Sequence, residues 1–251
     1  MKYYFILLLM GSALFSFRLK PSTHLITSKT KSDDTTKIDT SNLGNPILGY
    51  RFIIEGDFDG DGKKEKLVEH YFSKIDNQES PKYYENMPEY GDFVTLVTEK
   101  KPFSFALSDH PKIDTLVFSD NPQLLGLAFL KNEGDLNGDG TDEISFVVNW
   151  ADWSNLNTWQ IYTYQDKKWK SIYSFPIWDW QLPNLPESFN QYGLFGTETK
   201  GTIPPDDPIV KEQEEELKNF KGLVEKVKKN EIKVTFRSND AEEKVKKVRL
   251  K

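Results

Sequence analysis

Two short acidic segments rich in glycine constrain this chain more than any other part of its sequence. The first reads GDFDGDGKKEKL (56–67), and the second reads GDLNGDGTDEIS (134–145), 78 positions further on. Carboxylates placed this closely repel one another unless something positive lies between them. Each segment also stands between runs of β-branched and aromatic residues, so the chain is expected to contain at least two strand–loop–strand units.

The two segments agree position by position when each is numbered from its first aspartate. Oxygen-bearing side chains fall at positions 1, 3, 5 and 9, and glycines at positions 4 and 6 permit positive φ. Position 7 would contribute only its backbone carbonyl. Ca²⁺ prefers such hard oxygen ligands, and no histidine or cysteine lies nearby to favour zinc or copper. The sequence therefore predicts two calcium sites, formed by Asp57, Asp59, Asp61, Lys63 and Glu65 and by Asp135, Asn137, Asp139, Thr141 and Glu143.

An EF-hand and a metal-free turn are the alternatives for both loops. An EF-hand needs a glutamate at position 12 and a helix on each side. Position 12 is Val68 in the first loop and Phe146 in the second, and both lie in β-rich runs, which excludes an EF-hand. An acidic glycine-rich loop can also be a solvated turn that binds no metal. Where calcium does bind, we expect it to hold the loop together rather than to signal or catalyse.

The pattern D-x-[DN]-x-D-G-x-x-[DE] in both segments resembles the calcium loop of FG-GAP/VCBS-type repeats, which occur in the blades of integrin-α-like β-propellers. It also resembles small exported bacterial proteins that carry such repeats. The resemblance implies that each loop connects two antiparallel strands of a blade. A closed propeller typically has four to eight blades, whereas this chain has two such loops. The expected fold is therefore mainly β, with two antiparallel propeller-blade-like units followed by a C-terminal helix and β-hairpin.

Hydrophobic periodicity places the remaining elements. Strands are predicted over 47–55, 65–72, 92–99, 102–108, 113–118, 123–131, 143–150, 158–165 and 168–175. Those within 47–108 and those within 123–175 make two four-stranded groups. A helix is predicted over 208–229, capped by Asp206 or Asp207 and carrying an apolar face of Leu217, Phe220, Val224 and Val227. A final hairpin is predicted from 232–238 and 244–250.

The N-terminus bears on the compartment. An uncharged run of fifteen residues, 3–17, lies between Lys2 and Arg18, which suits a signal peptide and falls short of the roughly 20 residues of a membrane span. An uncleaved anchor and a buried N-terminal strand or helix are the alternatives. The predicted organisation is a signal peptide or membrane anchor (1–20), a disordered linker (21–45), a β domain with both loops (46–205) and the helix and hairpin (206–251). We expect export to the periplasm, the cell surface or the exterior.

Charge and cysteine content exclude several classes of function. The net charge is −6, and residues 21–210 alone carry −13, which opposes binding to the phosphates of nucleic acid and suits binding of cations. The absence of cysteine excludes disulfides, thiolate metal sites and a lipid-modified cysteine. The expected partner is an unidentified protein or glycan at the cell surface. Contact with a membrane is expected only through residues 1–20, if they remain uncleaved.

All six tryptophans lie in the aromatic segment 149–180. Such rings either fill a β core or stack on sugars at the surface. Trp153 with Asp152 and Trp178 with Asp179 are the candidate ligand contacts. The three histidines show no nucleophile with an oriented base, so no catalytic residue is predicted and the chain is not expected to be an enzyme. The predicted function is an exported calcium-binding β domain with a binding or interaction role. The alternative is a carbohydrate-binding or carbohydrate-active protein that uses 149–180.

Overall fold

A computed structural model of the chain describes residues 38, 40–86, 88, 90–152, 154–186, 189–190, 201–202 and 206–250. They belong to one unit, Ile38–Lys251. The predicted signal segment, most of the predicted linker and Trp153 lie outside the described residues. Neither of the two described α-helices is long and apolar enough to cross a membrane.

The described residues are mainly β and form antiparallel sheets, none of them closed. The first half contains β1 (Pro46–Ile47), β2 (Ile53–Gly56), β3 (Glu65–Ser73), β4 (Gln78–Glu79), β5 (Tyr83–Tyr84), α1 (Tyr90–Glu99), β6 (Pro102–Ser108) and β7 (Leu116–Ser119). The second half contains β8 (Leu124–Gly134), β9 (Glu143–Trp150), β10 (Leu156–Gln165), β11 (Lys168–Trp178), a 3-10 turn (Asp179–Gln181), β12 (Phe189–Asn190), β13 (Gly201–Thr202), α2 (Pro208–Asn219), β14 (Val224–Lys228), β15 (Glu231–Arg237) and β16 (Glu243–Arg249).

Two antiparallel meanders contain the acidic loops. The first has the strand order β2-β3-β6-β7, with β4 also paired to β3, and the second has the order β8-β9-β10-β11. In each meander the acidic loop joins the first two strands in the same register, because Gly56 pairs with Glu65 and Gly134 pairs with Glu143. The two predicted strand–loop–strand units are therefore present.

The second meander is the central layer of the unit. Ile144 and Phe146 on β9 pack into a core shared with the first meander, whereas Val147 points into a second core with Trp159. The second core is closed by the three-stranded sheet β14-β15-β16, which contributes Ile232 among others. Because both faces of the central sheet are covered, β9 is buried from Glu143 to Val148 and reads as a nearly continuous apolar run.

Residues 92–99, predicted to be a strand, form helix α1 instead. Their β-branched content favours a strand, but Phe93, Leu96 and Val97 are buried at helical spacing. Asp92 lies in the first turn, where a carboxylate favours the helix dipole. Thr95 donates its hydroxyl to a carbonyl one turn earlier at 2.9 Å, so this side chain is satisfied within the helix.

Helix α2 is shorter than predicted and ends at Asn219 instead of 229. Its beginning agrees with the prediction, since the Asp207 side chain accepts a hydrogen bond from the backbone N–H of Ile209 at 3.0 Å. Phe220 has extended backbone angles and Gly222 has a φ of 83°, so the chain leaves the helical path there. Val224 is consequently buried on a strand rather than on a helix.

Both predicted hairpins of the second half are confirmed. β10 and β11 meet at Asp166 and Lys167, whose φ values of 54° and 62° fit the turn that matches strand twist. β15 and β16 form the terminal hairpin, to which the structure adds β14 as a third strand.

Candidate metal centre

The two acidic loops share two internal hydrogen bonds. In each loop the backbone N–H of position 5 donates to the side chain of position 3, and that of position 7 donates to the side chain of position 5. The donor–acceptor distances are 3.2 and 2.9 Å in the first loop and 2.8 and 2.9 Å in the second. All four glycines at positions 4 and 6 have φ values between 75° and 97°. The loops are thus one local structure built twice, as their sequence register predicts.

The glutamate at position 9 of each loop accepts hydrogen bonds from the backbone of that loop. Glu65 accepts a hydrogen bond from the backbone N–H of Phe58 at 3.0 Å. Glu143 accepts from Leu136 and Asn137 at 2.6 and 3.1 Å. Burial raises the pKa of both carboxyls, that of Glu143 to about 7. Because Phe58 and Leu136 are themselves buried in the two cores, each loop is anchored at position 2 as well as at position 9.

In the first loop three carboxylates converge. Oxygens of Asp57, Asp59 and Asp61 all lie within 4.8 Å of one another, and no other group of three or more acidic, histidine or cysteine side chains is so placed among the described residues. Asp57 Oδ2 accepts from the Gly62 N–H at 2.9 Å, but its buried Oδ1 has no partner there. Lys63 Nζ lies 3.6 Å from Asp61, yet its side chain is 82% exposed, so water screens this ion pair.

In the second loop an amide takes the place of the middle carboxylate. The Nδ2 of Asn137 donates to Asp139 and to Glu143, both at 2.9 Å. Asp139 also accepts from the hydroxyl of Thr141 at 2.7 Å. The Asn137 side chain thus donates to two carboxylates of its own loop, whereas the Asp59 side chain at the same position of the first loop has no N–H to donate.

Two lysines of the C-terminal sheet β14-β15-β16 and its turns, Lys226 on β14 and Lys229 in the turn between β14 and β15, also contact the second loop. Lys229 Nζ donates to the Gly138 carbonyl at 2.7 Å, and Lys226 Nζ donates to the Asp135 carbonyl. Burial opposes ionisation of Asp139, but hydrogen bonds from Thr141 and Asn137 and the charge of Lys229 together lower its pKa. The second loop thus has cationic neighbours that its sequence motif does not reveal.

The loops lie side by side and are joined by hydrogen bonds. The backbone N–H of Asp57 donates to Asp142 Oδ2 at 3.1 Å, and the N–H of Asp142 donates to the Asp57 carbonyl at 2.8 Å. Asn132 Nδ2 donates to Asp142 and to the Glu55 carbonyl, both at 2.8 Å. Sequence reasoning missed Asp142, whose only signal was a carboxylate at position 8 where the first loop has Lys64.

The candidate ligand contacts in the aromatic segment do not form one site among the described residues. Asp152 is exposed, and Trp178 is half-buried and stacks on Trp180 with ring centres 4.3 Å apart. Asp179 accepts from Asn157 at 2.9 Å, and burial, followed by the charge of Asp152, raises its pKa. Trp159 is fully buried in the second core, so the aromatic segment is divided between core and surface.

His70 is paired with a carboxylate. Its Nδ1 lies 2.5 Å from an oxygen of Glu79, and Arg51 Nε lies 3.6 Å from the same carboxylate. The contact connects β3 with the short strand β4, which makes it a link between neighbouring strands.

Comparisons with protein-family models, curated proteins and solved structures gave no match for this chain. Its function is therefore inferred from its own residues.

Proposed function

We propose that this chain is an exported calcium-binding β protein with a binding or interaction role, in which calcium is structural. The convergence of Asp57, Asp59 and Asp61, together with a buried oxygen of Asp57 that lacks a donor, is the observation that carries the proposal. Ca²⁺ takes about six to eight oxygen ligands and tolerates irregular geometry. The Lys63 carbonyl and the Glu65 carboxylate would complete the protein ligands of this site.

A second ion is proposed at the second loop, held by Asp135, Asn137, Asp139, the Thr141 carbonyl and Glu143. It would bind more weakly than the first for two reasons. The Asn137 amide donates hydrogen bonds to Asp139 and Glu143, so it must turn to present its oxygen to a cation. The ammonium groups of Lys226 and Lys229 on the loop carbonyls would also repel a divalent ion.

A structural role for calcium is supported by how the loops are embedded. Each loop caps the first hairpin of a four-stranded meander, and hydrogen bonds between Asp57 and Asp142 join the two tips. An ion that neutralises the first loop would stabilise this junction, and a ligand bound only by the folded state adds about 2.7 kcal/mol of stability at 100 times its dissociation constant.

The same arrangement supports treating the meanders as two blade-like units of the FG-GAP/VCBS type, without a closed ring. Export is proposed from the N-terminal sequence alone. Carbohydrate binding across 149–180 is the alternative function, and it has less support because Trp159 is buried in the core. The partner of the calcium-bound protein is proposed to be a protein or glycan at the cell surface.

The first experiment exchanges the one residue type that distinguishes the loops. Calcium is titrated by calorimetry into the chelator-treated full chain. The melting temperature is measured before calcium is added and again at the end of the titration. Asp59→Asn gives the first loop the amide of the second, and Asn137→Asp gives the second loop the carboxylate of the first. Asp166→Asn, in the exposed turn between β10 and β11, is the matched control for loss of one negative charge.

We expect two binding events in the unaltered protein and a rise in melting temperature with calcium. Asp59→Asn should weaken the tighter event at least tenfold, and Asn137→Asp should tighten the weaker one several-fold, since charge count tunes calcium affinity. Asp166→Asn should change neither. Absence of binding at millimolar calcium, or an equal effect of Asp59→Asn and Asp166→Asn, would refute the assignment of the first loop.

A further inference from the structure

An open cavity of about 460 Å³ lies between Pro176 on β11 and the hairpin of β15 and β16. Its lining includes Pro176 on β11, Phe236 and Arg237 at the end of β15, and Lys244 and Lys246 on β16. The volume falls within the range of small-molecule sites, which is about 300–1,000 Å³. None of the residues that line it belongs to the acidic loops.

The charges in this cavity are not balanced. Asp240 pairs with Lys244 and so neutralises one of the three cations. Within the part of the chain that the structure describes, no carboxylate pairs with Arg237 or Lys246, and the buried Nε of Arg237 has no hydrogen-bond partner. Two cations without a carboxylate partner therefore line a space that an anionic group could enter, and a carboxylate matches the guanidinium fork well.

Aromatic rings lie beside the same two cations. Lys246 Nζ is 4.5 Å from the centre of the Phe236 ring, and the Arg237 guanidinium is 4.9 Å from the centre of the Trp178 ring. Trp180, which stacks on Trp178, is 61% exposed. These contacts place each positive charge next to an apolar face, so the surface suits a ligand that has both a negative group and a flat apolar side.

Sugars that carry an acidic group have this combination, and the polar side chains of Ser238 and Asn239 in the lining could meet their hydroxyls. Two unpaired cations fit one anionic group better than a polyanion, and the net charge of −6 opposes binding of nucleic acid. We propose that this cavity binds an acidic sugar, with Arg237 and Lys246 holding its carboxylate or sulfate and Phe236 and Pro176 facing its ring.

The test compares methyl glucuronide with methyl glucoside, which lacks the carboxylate, and with inorganic sulfate, which lacks the ring. Binding to the full chain is followed by tryptophan fluorescence, which Trp178 and Trp180 should report, in buffer with saturating calcium. The variants are Arg237→Gln with Lys246→Gln, and Arg237→Lys, which keeps the charge but loses the fork. Lys247→Gln is the control, because Lys247 is exposed and points to the other face of β16.

We expect saturable binding of the glucuronide, at least tenfold weaker binding of the glucoside, and at least a tenfold loss in the double variant. Arg237→Lys should show an intermediate loss, and Lys247→Gln should bind as the unaltered protein does. Equal binding of glucuronide and glucoside, or of glucuronide and sulfate, would overturn recognition of an acidic sugar. So would unchanged binding in the double variant, or no saturable signal at millimolar glucuronide.

Discussion

Glu69 shows how a single buried carboxylate can join two sheets. It is 1% exposed, and its two oxygens accept backbone hydrogen bonds from Phe52 at 3.0 Å and from Leu127 at 2.9 Å. Gly126 has a φ of 80°, and a Cβ there would lie 2.8 Å from a Glu69 oxygen. The absence of a side chain at Gly126 therefore allows the carboxylate to approach the backbone of β8.

Glu69→Gln is expected to destabilise the protein by about 1–3 kcal/mol, because one of the two acceptors becomes an N–H₂ group that faces a backbone donor. Urea denaturation followed by circular dichroism measures the loss. Glu55→Gln, on an exposed position of β2, is the control and should stay within about 0.5 kcal/mol of the unaltered protein. Equal losses in the two variants would show that the Glu69 hydrogen bonds add nothing to stability.

Elements whose signal is local could be predicted from the sequence, and those decided by distant packing could not. The register of the two loops and the Asp207 cap depend on neighbouring residues, and the structure agrees with both. Helix α1 was missed because its β-branched residues favour a strand, whereas the helical spacing of its buried face depends on what packs against it. The lysines that contact the second loop lie 91 positions from their acceptors, and no motif connects them.

The lysines that contact the second loop are expected to weaken calcium binding there. Lys229→Met should tighten calcium binding at the second loop about two- to fivefold, since one screened charge contributes up to about 1 kcal/mol. Binding at the first loop should not change. Calorimetry measures both affinities, and Lys247→Met, which removes the same charge from a residue on β16, serves as the control. A tighter second site in the control as well would attribute the effect to net charge instead of to the contact with Gly138.

At the scale of the whole molecule, the central sheet holds two cores together. Phe129 on β8 shows this best, because its ring packs against three other aromatic rings. The distances between ring centres are 6.3 Å to Phe52 before β2, 4.9 Å to Trp159 on β10 and 5.3 Å to Phe220 after α2. It is 2% exposed. Loss of this ring would leave a cavity bordered by three separate parts of the chain.

Phe129→Ala is therefore expected to cost about 3–5 kcal/mol, the range for removing a buried aromatic ring. A chemical denaturation curve gives the free energy, and its slope shows whether the layers still unfold together. Leu156→Ala, at an exposed position of β10, should be nearly neutral. A loss below about 1 kcal/mol for Phe129→Ala would mean that the layers are held together elsewhere.

The contact between the acidic loops has a consequence for how this chain resists unfolding. Asp57 and Asp142 are 85 positions apart, and bringing such distant points together is costly in chain entropy. A disulfide can secure such distant points, but this chain has no cysteine. Its two reciprocal hydrogen bonds at the hairpin tips take the position of a covalent cross-link, one that can open and close again without any redox chemistry.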